Sequence, residues 1–305
     1  MKEFDDIRDD QIRVIGYTKS KWVPSSNLKR YLISAIIIIV LGILIVVLVK
    51  IRQSTLYEPE PALFEPEVAY ITSEPVDKGW IGSEIDSTAA GFTEIVDTTI
   101  NDIPLRIYIP HNAQMTLHLG KLDKSDPEII FAAQAADVRA DNGGIVGAFV
   151  LKGEQKSRGL AKRGYCAIID DKISIGVAEN TPLFEESTAK GGYFFRQYPL
   201  VDNGLLVDNE PKGKSIRRAI CDRKGEILVV ESLTQESFHD FAQVLVDLGV
   251  DNAIYLVGSN AFGWAVSEDG THHKFGDENI LKGRRGLPKN TSYVVWRKRP
   301  PYKIK

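Results

Sequence analysis

Leu32–Val49, LISAIIIIVLGILIVVLV, runs for 18 residues without a charge and constrains this 305-residue chain more than any other feature. At 1.5 Å per helical residue it covers roughly 27 Å, about the hydrocarbon thickness of a bilayer. A helix buried in a soluble core keeps some polar positions. A cleaved signal peptide has a shorter apolar stretch with a small-x-small site after it. Here the run ends in Lys50-Ile51-Arg52, with no such site beyond. Lys19, Lys21, Lys29 and Arg30 precede it, against Lys50 and Arg52 after it. That bias predicts a cytoplasmic N-terminus.

The span divides the chain into unequal parts. Residues 1–30 read as a polar cytoplasmic tail, too short for a core. Residues 31–50 are the expected transmembrane helix. Residues 51–88, with the alternating YEPEPALFEPE, read as a stiff Glu/Pro-rich linker, part of which packs on the domain after it. Residues 89–300 are that expected extracytoplasmic domain, which makes the protein a single-pass membrane protein facing the periplasm or cell surface.

In that domain the hydrophobic pattern has period two. Ile103, Leu105, Ile107 and Ile109 fall on one face of a strand. Further strands are expected at Met115–Leu119, Glu128–Ala133, Gly147–Leu151, Ala253–Val257 and in SYVVWRK. YCAIIDDKISIGV reads as a hairpin turning at Asp170-Asp171, and RRAICDRKGEILVVES as another turning within Asp222–Gly225. One helix stands out: Phe238, Phe241, Ala242, Leu245 and Leu248 recur three and four apart, and Gly249 is placed to end it. The fold class is therefore α+β, mostly antiparallel hairpins with few helices, plus the N-terminal membrane helix.

Several chemistries are set aside. The formal net charge of −3 implies no strongly basic face, so nucleic acid is not an expected partner. Gly258 and Gly263 have phosphate-loop spacing, but Trp264 stands where a lysine is needed. Ser237, His239 and Asp240 are too close along one helix to face each other as a triad. The five histidines lack metal-ligand spacing, and His272-His273 reads as an exposed loop pair. No metal or other cofactor is expected. Asn290-Thr291-Ser292 fits a glycosylation sequon, which matters only in a eukaryotic secretory chain. Outside the cytoplasm Cys166 and Cys221 are free to pair, or stand as two buried thiols.

Four blocks within Glu128–Arg299 carry a resemblance. IIFAAQAADVRADNGGIVGAFVLKGEQ holds Gln134-Ala135-Ala136 after a strand, then Gly147 and Gly153. FFRQYPLVDNGLLV holds Gln197, Pro199 and Gly204, and SIRRAICDRKGEILVV holds Arg217. SFHDFAQVLVDLGVDNAIYLVGSN is a helix, a turn and a strand ending Leu256-Val257-Gly258-Ser259. In this order they resemble the phosphodiester glycosidase domain family, to which the lysosomal uncovering enzyme belongs and which has many bacterial members. The family pattern has Asn-x-Gly at the Gln134-Ala135-Ala136 position, and an aspartate where Val257 stands.

The resemblance implies a ligand in which a sugar is joined to phosphate. Cleaving that bond places positive charge on the ring and negative charge on the phosphate, so a carboxylate and a cation are wanted. Arg217 is the candidate cation, unless it forms a structural ion pair within the sheet. Gln134, Gln197, Ser259 and Asn260 are candidate hydrogen-bonding groups. Val257 can neither accept a proton nor steady an oxocarbenium ion. Asp137 is the nearby carboxylate that could replace it, if it is not a solvated loop residue. Ala136 adds a methyl where close approach or positive φ is wanted. Hydrolysis is accordingly expected to be weak or lost. The alternatives are a non-catalytic module for a glycan or anionic polymer, and a structural partner in an envelope complex. The sequence names no protein partner.

Overall fold

The computed structural model describes Gly42 and residues 80–82, 86, 89–281 and 289–298. Gly42 is helical; the remainder of the expected tail and membrane span, and nearly all of the expected linker, lie outside the described residues. Among the described residues no helix is long and apolar enough to cross a membrane. The elements below all belong to the unit Ser73–Lys305.

In chain order its strands are β1 (Ile81–Gly82), β2 (Phe92–Ile100), β3 (Ile103–His111), β4 (Ala113–Leu119), β5 (Ile129–Gln134) and β6 (Ala148–Leu151). Then come β7 (Glu154–Arg158), β8 (Gly164–Ile169), β9 (Lys172–Val177), helix α1 (Leu183–Ala189), β10 (Tyr193–Gln197), β11 (Pro199–Asp202) and β12 (Leu205–Leu206). The chain continues through β13 (Ser215–Arg223), β14 (Glu226–Glu236), helix α2 (Phe238–Asp247), β15 (Asn252–Leu256), β16 (Gly263–Val266), β17 (His272–Phe275) and β18 (Ser292–Lys298). They form three antiparallel sheets, ordered β1-β9-β8-β10-β6-β7, β12-β11-β15-β13-β14-β3-β2 and β17-β16-β5-β18-β4. The β-rich α+β expectation holds. β1 lies inside the stretch read as linker and pairs with β9 at Ile173, so sheet pairing begins before residue 89.

The hairpins form where the turn chemistry allows. Asn101 and Asp102, Asp170 and Asp171, and Lys224 and Gly225 all have positive φ, as two-residue turns between twisted strands require. α2 starts at Ser237, whose Oγ accepts from Asp240 N at 3.0 Å. Gly249, at φ +81°, ends it. His272 and His273 belong to β17 and not to a loop, paired with Val266 and Ala265 of β16.

Side-chain alternation in the seven-stranded sheet sorts two cores. Ala219 and Cys221 of β13 and Ala253 and Tyr255 of β15 pack against Phe238, Phe241, Ala242 and Leu245 of α2. The opposite face, with Ile220, Ile254 and Leu256, packs against side chains of the other two sheets, among them Phe131, Phe149, Phe195 and Trp296. The central core therefore lies where all three sheets meet. Cys166 and Cys221 are buried free thiols in different clusters.

Candidate functional site

Strand ends from all three sheets converge at one place. β5 ends at Gln134, β15 at Leu256, and β10 passes to β11 at Gln197-Tyr198. Val257 N donates to the Gln134 carbonyl at 3.1 Å, tying β15 to β5 across two sheets. Gln197 Nε2 donates to the Ala135 carbonyl at 3.3 Å and brings in the third. Ala135 N and Ala136 N are fixed by the carbonyl and the hydroxyl of Ser292 in β18, at 2.9 and 3.0 Å. Among the described residues the ends of β5 and β15 border a cleft of about 400 Å³, lined by Gln134, Ala136–Val138, Val257–Ala261 and Thr291.

The turn after β15 is held by backbone proximity. Gly258 N donates to the Tyr255 hydroxyl at 3.0 Å, and Ser259 N, at φ +53°, donates to the Ile216 carbonyl at 2.8 Å. A Cβ on Gly258 would stand 2.2 Å from the Ile216 carbonyl oxygen, so only glycine fits. This turn brings Val257, Ser259 and Asn260 to the cleft wall. Ala136 is not at positive φ; its methyl is buried in the central core at the cleft floor. Gln134 bonds the phenol of Tyr293, its partner across the sheet, and burial pushes that phenol up to about 12.

Adjacent arginines take opposite faces of β13. Arg217 lies on the helix side. Its guanidinium donates to the carbonyls of Glu236, at 2.8 Å, and Gly213, and stacks 4.0 Å from the Phe238 ring centroid. It is not among the cleft-lining residues. Arg218, fully buried, enters the central core. It pairs with Glu231 directly across the sheet, with Nε to Oε2 at 2.7 Å, and lies 4.2 Å from the Phe275 ring. Its Nη1 reaches the Val257 carbonyl at 2.8 Å. The arginine that fixes the strand end is therefore Arg218, acting on main chain.

Asp137 is the carboxylate among the cleft-lining residues, and Lys162 is its partner through an ion pair to Oδ2. The Lys162 ammonium also donates to Gln197 Oε1 at 2.8 Å and sits 4.3 Å from the Tyr198 ring centroid. Gln197 Oε1 in turn accepts from Tyr198 N. Burial pushes the lysine's pKa down, and Asp137 opposes that shift. Gln134, Asp137, Ser259 and Asn260 are thus together in the cleft. Gln197 is linked to them through Lys162, and Arg217 stands apart. Lys162 carried no sequence signal, because it follows a Gly159-Leu160-Ala161 loop outside every motif. Among the described residues no group of three or more His, Cys, Asp and Glu side chains is arranged to hold a metal ion.

Three antiparallel sheets packed on a shared core make a fold also seen in a glycosidase catalytic domain. The catalytic domain of zebrafish N-acetylglucosamine-1-phosphodiester alpha-N-acetylglucosaminidase, auto-inhibited by its pro-peptide, is similar at TM-score 0.52 and 14% identity, over 73% of this chain and 88% of that one. A hypothetical protein from Synechocystis is similar at TM-score 0.48 and 13% identity, over 67% of this chain and 62% of that one. No protein-family model matches the sequence, and no curated protein matches it. At this identity the zebrafish likeness is one of fold.

Proposed function

We propose that this chain is a membrane-anchored protein whose extracytoplasmic domain binds a sugar joined to phosphate and hydrolyses it slowly at most. The observation that carries the proposal is the gathering of Gln134, Asp137, Ser259 and Asn260 around the strand end at Val257, in one cleft. Amides, a hydroxyl and a carboxylate are the groups that recognise sugar hydroxyls. The shared fold with a phosphodiester glycosidase domain supports the ligand class. The chemistry argues for slow turnover. Glycoside hydrolysis ordinarily uses two carboxylates flanking the bond. Here the cleft offers Asp137, already tied to Lys162, and Val257 presents only methyl groups.

The test is calorimetric titration of the full-length chain with α-glucose 1-phosphate, N-acetylglucosamine 1-phosphate and the methyl α-glycosides of both sugars. At least one of these binds, and Asn260→Ala together with Ser259→Ala weakens it about tenfold or more. Absence of binding across the panel refutes the glycan reading. For the anchor, a reporter active only in the cytoplasm and fused after Lys305 should be silent.

A further inference from the structure

We infer that Lys162 is the residue that selects the anionic group of the ligand, and that Asp137 is an internal stand-in which the ligand displaces. This deepens the proposed function and rests on the cleft reading.

The loop that carries Lys162 is built to bring an ammonium to this point. Lys162 itself is at φ +68°, a left-handed conformation uncommon for a residue with a side chain. Two features hold it there. Arg196, with 2% exposure, aims its guanidinium at main chain: Nη1 donates to the Lys162 carbonyl at 3.2 Å and to the Ala178 carbonyl at 2.9 Å, and Nη2 to the Glu179 carbonyl at 2.8 Å. Gly147 lets the loop come close, since a Cβ there would stand 2.9 Å from the Ala161 carbonyl oxygen. A buried arginine and a glycine at φ +84° therefore fix the backbone on either side of one lysine.

The side chain so placed is only 8% exposed, while its partner Asp137 is 34% exposed and lines the cleft. A lysine has three donors. Here two reach Asp137 and Gln197, and the Tyr198 ring lies against the charge. A buried ammonium needs an anionic partner in every state, because an unpaired one is costly. Asp137, the more exposed member, is the one an incoming phosphate oxygen can replace. Exchange leaves Lys162 paired throughout and turns the Asp137 carboxylate free beside the ligand. Arg217 cannot serve in this way, because its guanidinium lies on the helix side of the sheet, stacked on Phe238 and bonded to the Gly213 and Glu236 carbonyls.

The experiment compares dissociation constants of the full-length chain for a sugar 1-phosphate and for the methyl glycoside of the same sugar. Inorganic phosphate is added as a competitor, to separate recognition of phosphate alone from recognition of the ester. Wild type is expected to prefer the phosphate at least tenfold. Lys162→Met, which keeps an unbranched side chain and removes its charge, should abolish the preference and leave the glycoside constant within about twofold. Lys162→Arg should retain part of it. Asp137→Asn should raise the preference several-fold by removing the competitor, and Arg217→Ala should leave it unchanged. Equal binding of both ligands to wild type, or a Lys162→Met loss shared equally by both, overturns the role of Lys162 while the glycan cleft stands. No binding of either ligand overturns both readings.

Discussion

Replacing Gly258 by alanine tests the geometry on which the cleft depends. The added Cβ would lie 2.2 Å from the Ile216 carbonyl oxygen, where ordinary contact begins at 3.4 Å, and 3.0 Å from the Tyr255 hydroxyl. Both obstacles sit on β13 and β15 of the seven-stranded sheet, so the turn must move by roughly 1 Å. That movement costs about 1–3 kcal/mol in overpacking. It also lengthens the Ser259 N to Ile216 carbonyl hydrogen bond of 2.8 Å, worth about 1 kcal/mol net. The sum is about 2–4 kcal/mol, which for a domain of about 200 residues lowers the Tm by about 10 °C. Thermal unfolding of the variant measures it. Gly213→Ala supplies the comparison, since a Cβ there meets nothing within 4 Å and its φ is not positive, so its stability should stay within about 0.5 kcal/mol of wild type. If Gly258→Ala is as stable as Gly213→Ala, the account of the turn is wrong.

Arg218→Met should cost about 3–5 kcal/mol in urea denaturation by leaving Glu231 buried and unpaired, and adding Glu231→Leu should recover most of it. Loss from the single variant with no recovery in the double would mean the main-chain bond to Val257 dominates instead. Burial pushes both thiols up, so a thiol reagent should find neither Cys166 nor Cys221 in the native protein and two in urea. Hydrogen bonds from Lys124 and Lys274 hold the Glu278 carboxyl down at about 2 from an ordinary 4.5. A lowered folded-state pKa gives stability that is complete above the unfolded value and lost as pH falls toward the folded one. The denaturation midpoint should therefore drop between about pH 4.5 and 2, and Glu278→Gln should flatten that arm.

The hairpins and α2 were legible because their signals are local. Paired turn residues such as Asp170-Asp171, a period of two, and Ser237 and Gly249 at the helix ends each act within a few positions. α1 and β16 escaped notice: seven and four residues respectively are too few to establish a period. Arg217 and Arg218, neighbours in one strand, take opposite faces of β13, as a period of two requires. A period of two does not tell which face α2 covers; Arg217 was the candidate on the resemblance alone, and the structure places it against Phe238. Gln134, Asp137, Ser259 and Asn260 were within reach because each sits beside a strand end in a recognisable block. Lys162 was not, since its position depends on Arg196 and Gly147, both distant along the chain and informative only in three dimensions.

The central claim is that this cleft keeps the ligand and lacks a carboxylate at the end of β15. Val257 lines the cleft and is partly exposed, so an aspartate there can be accommodated. The decisive measurement is the hydrolysis rate of a sugar phosphodiester by the wild-type chain and by Val257→Asp under identical conditions. The account predicts near-background turnover for wild type and at least about a tenfold rise for the variant. Rapid hydrolysis by wild type, or a variant that binds ligand normally and turns over no faster, would contradict it.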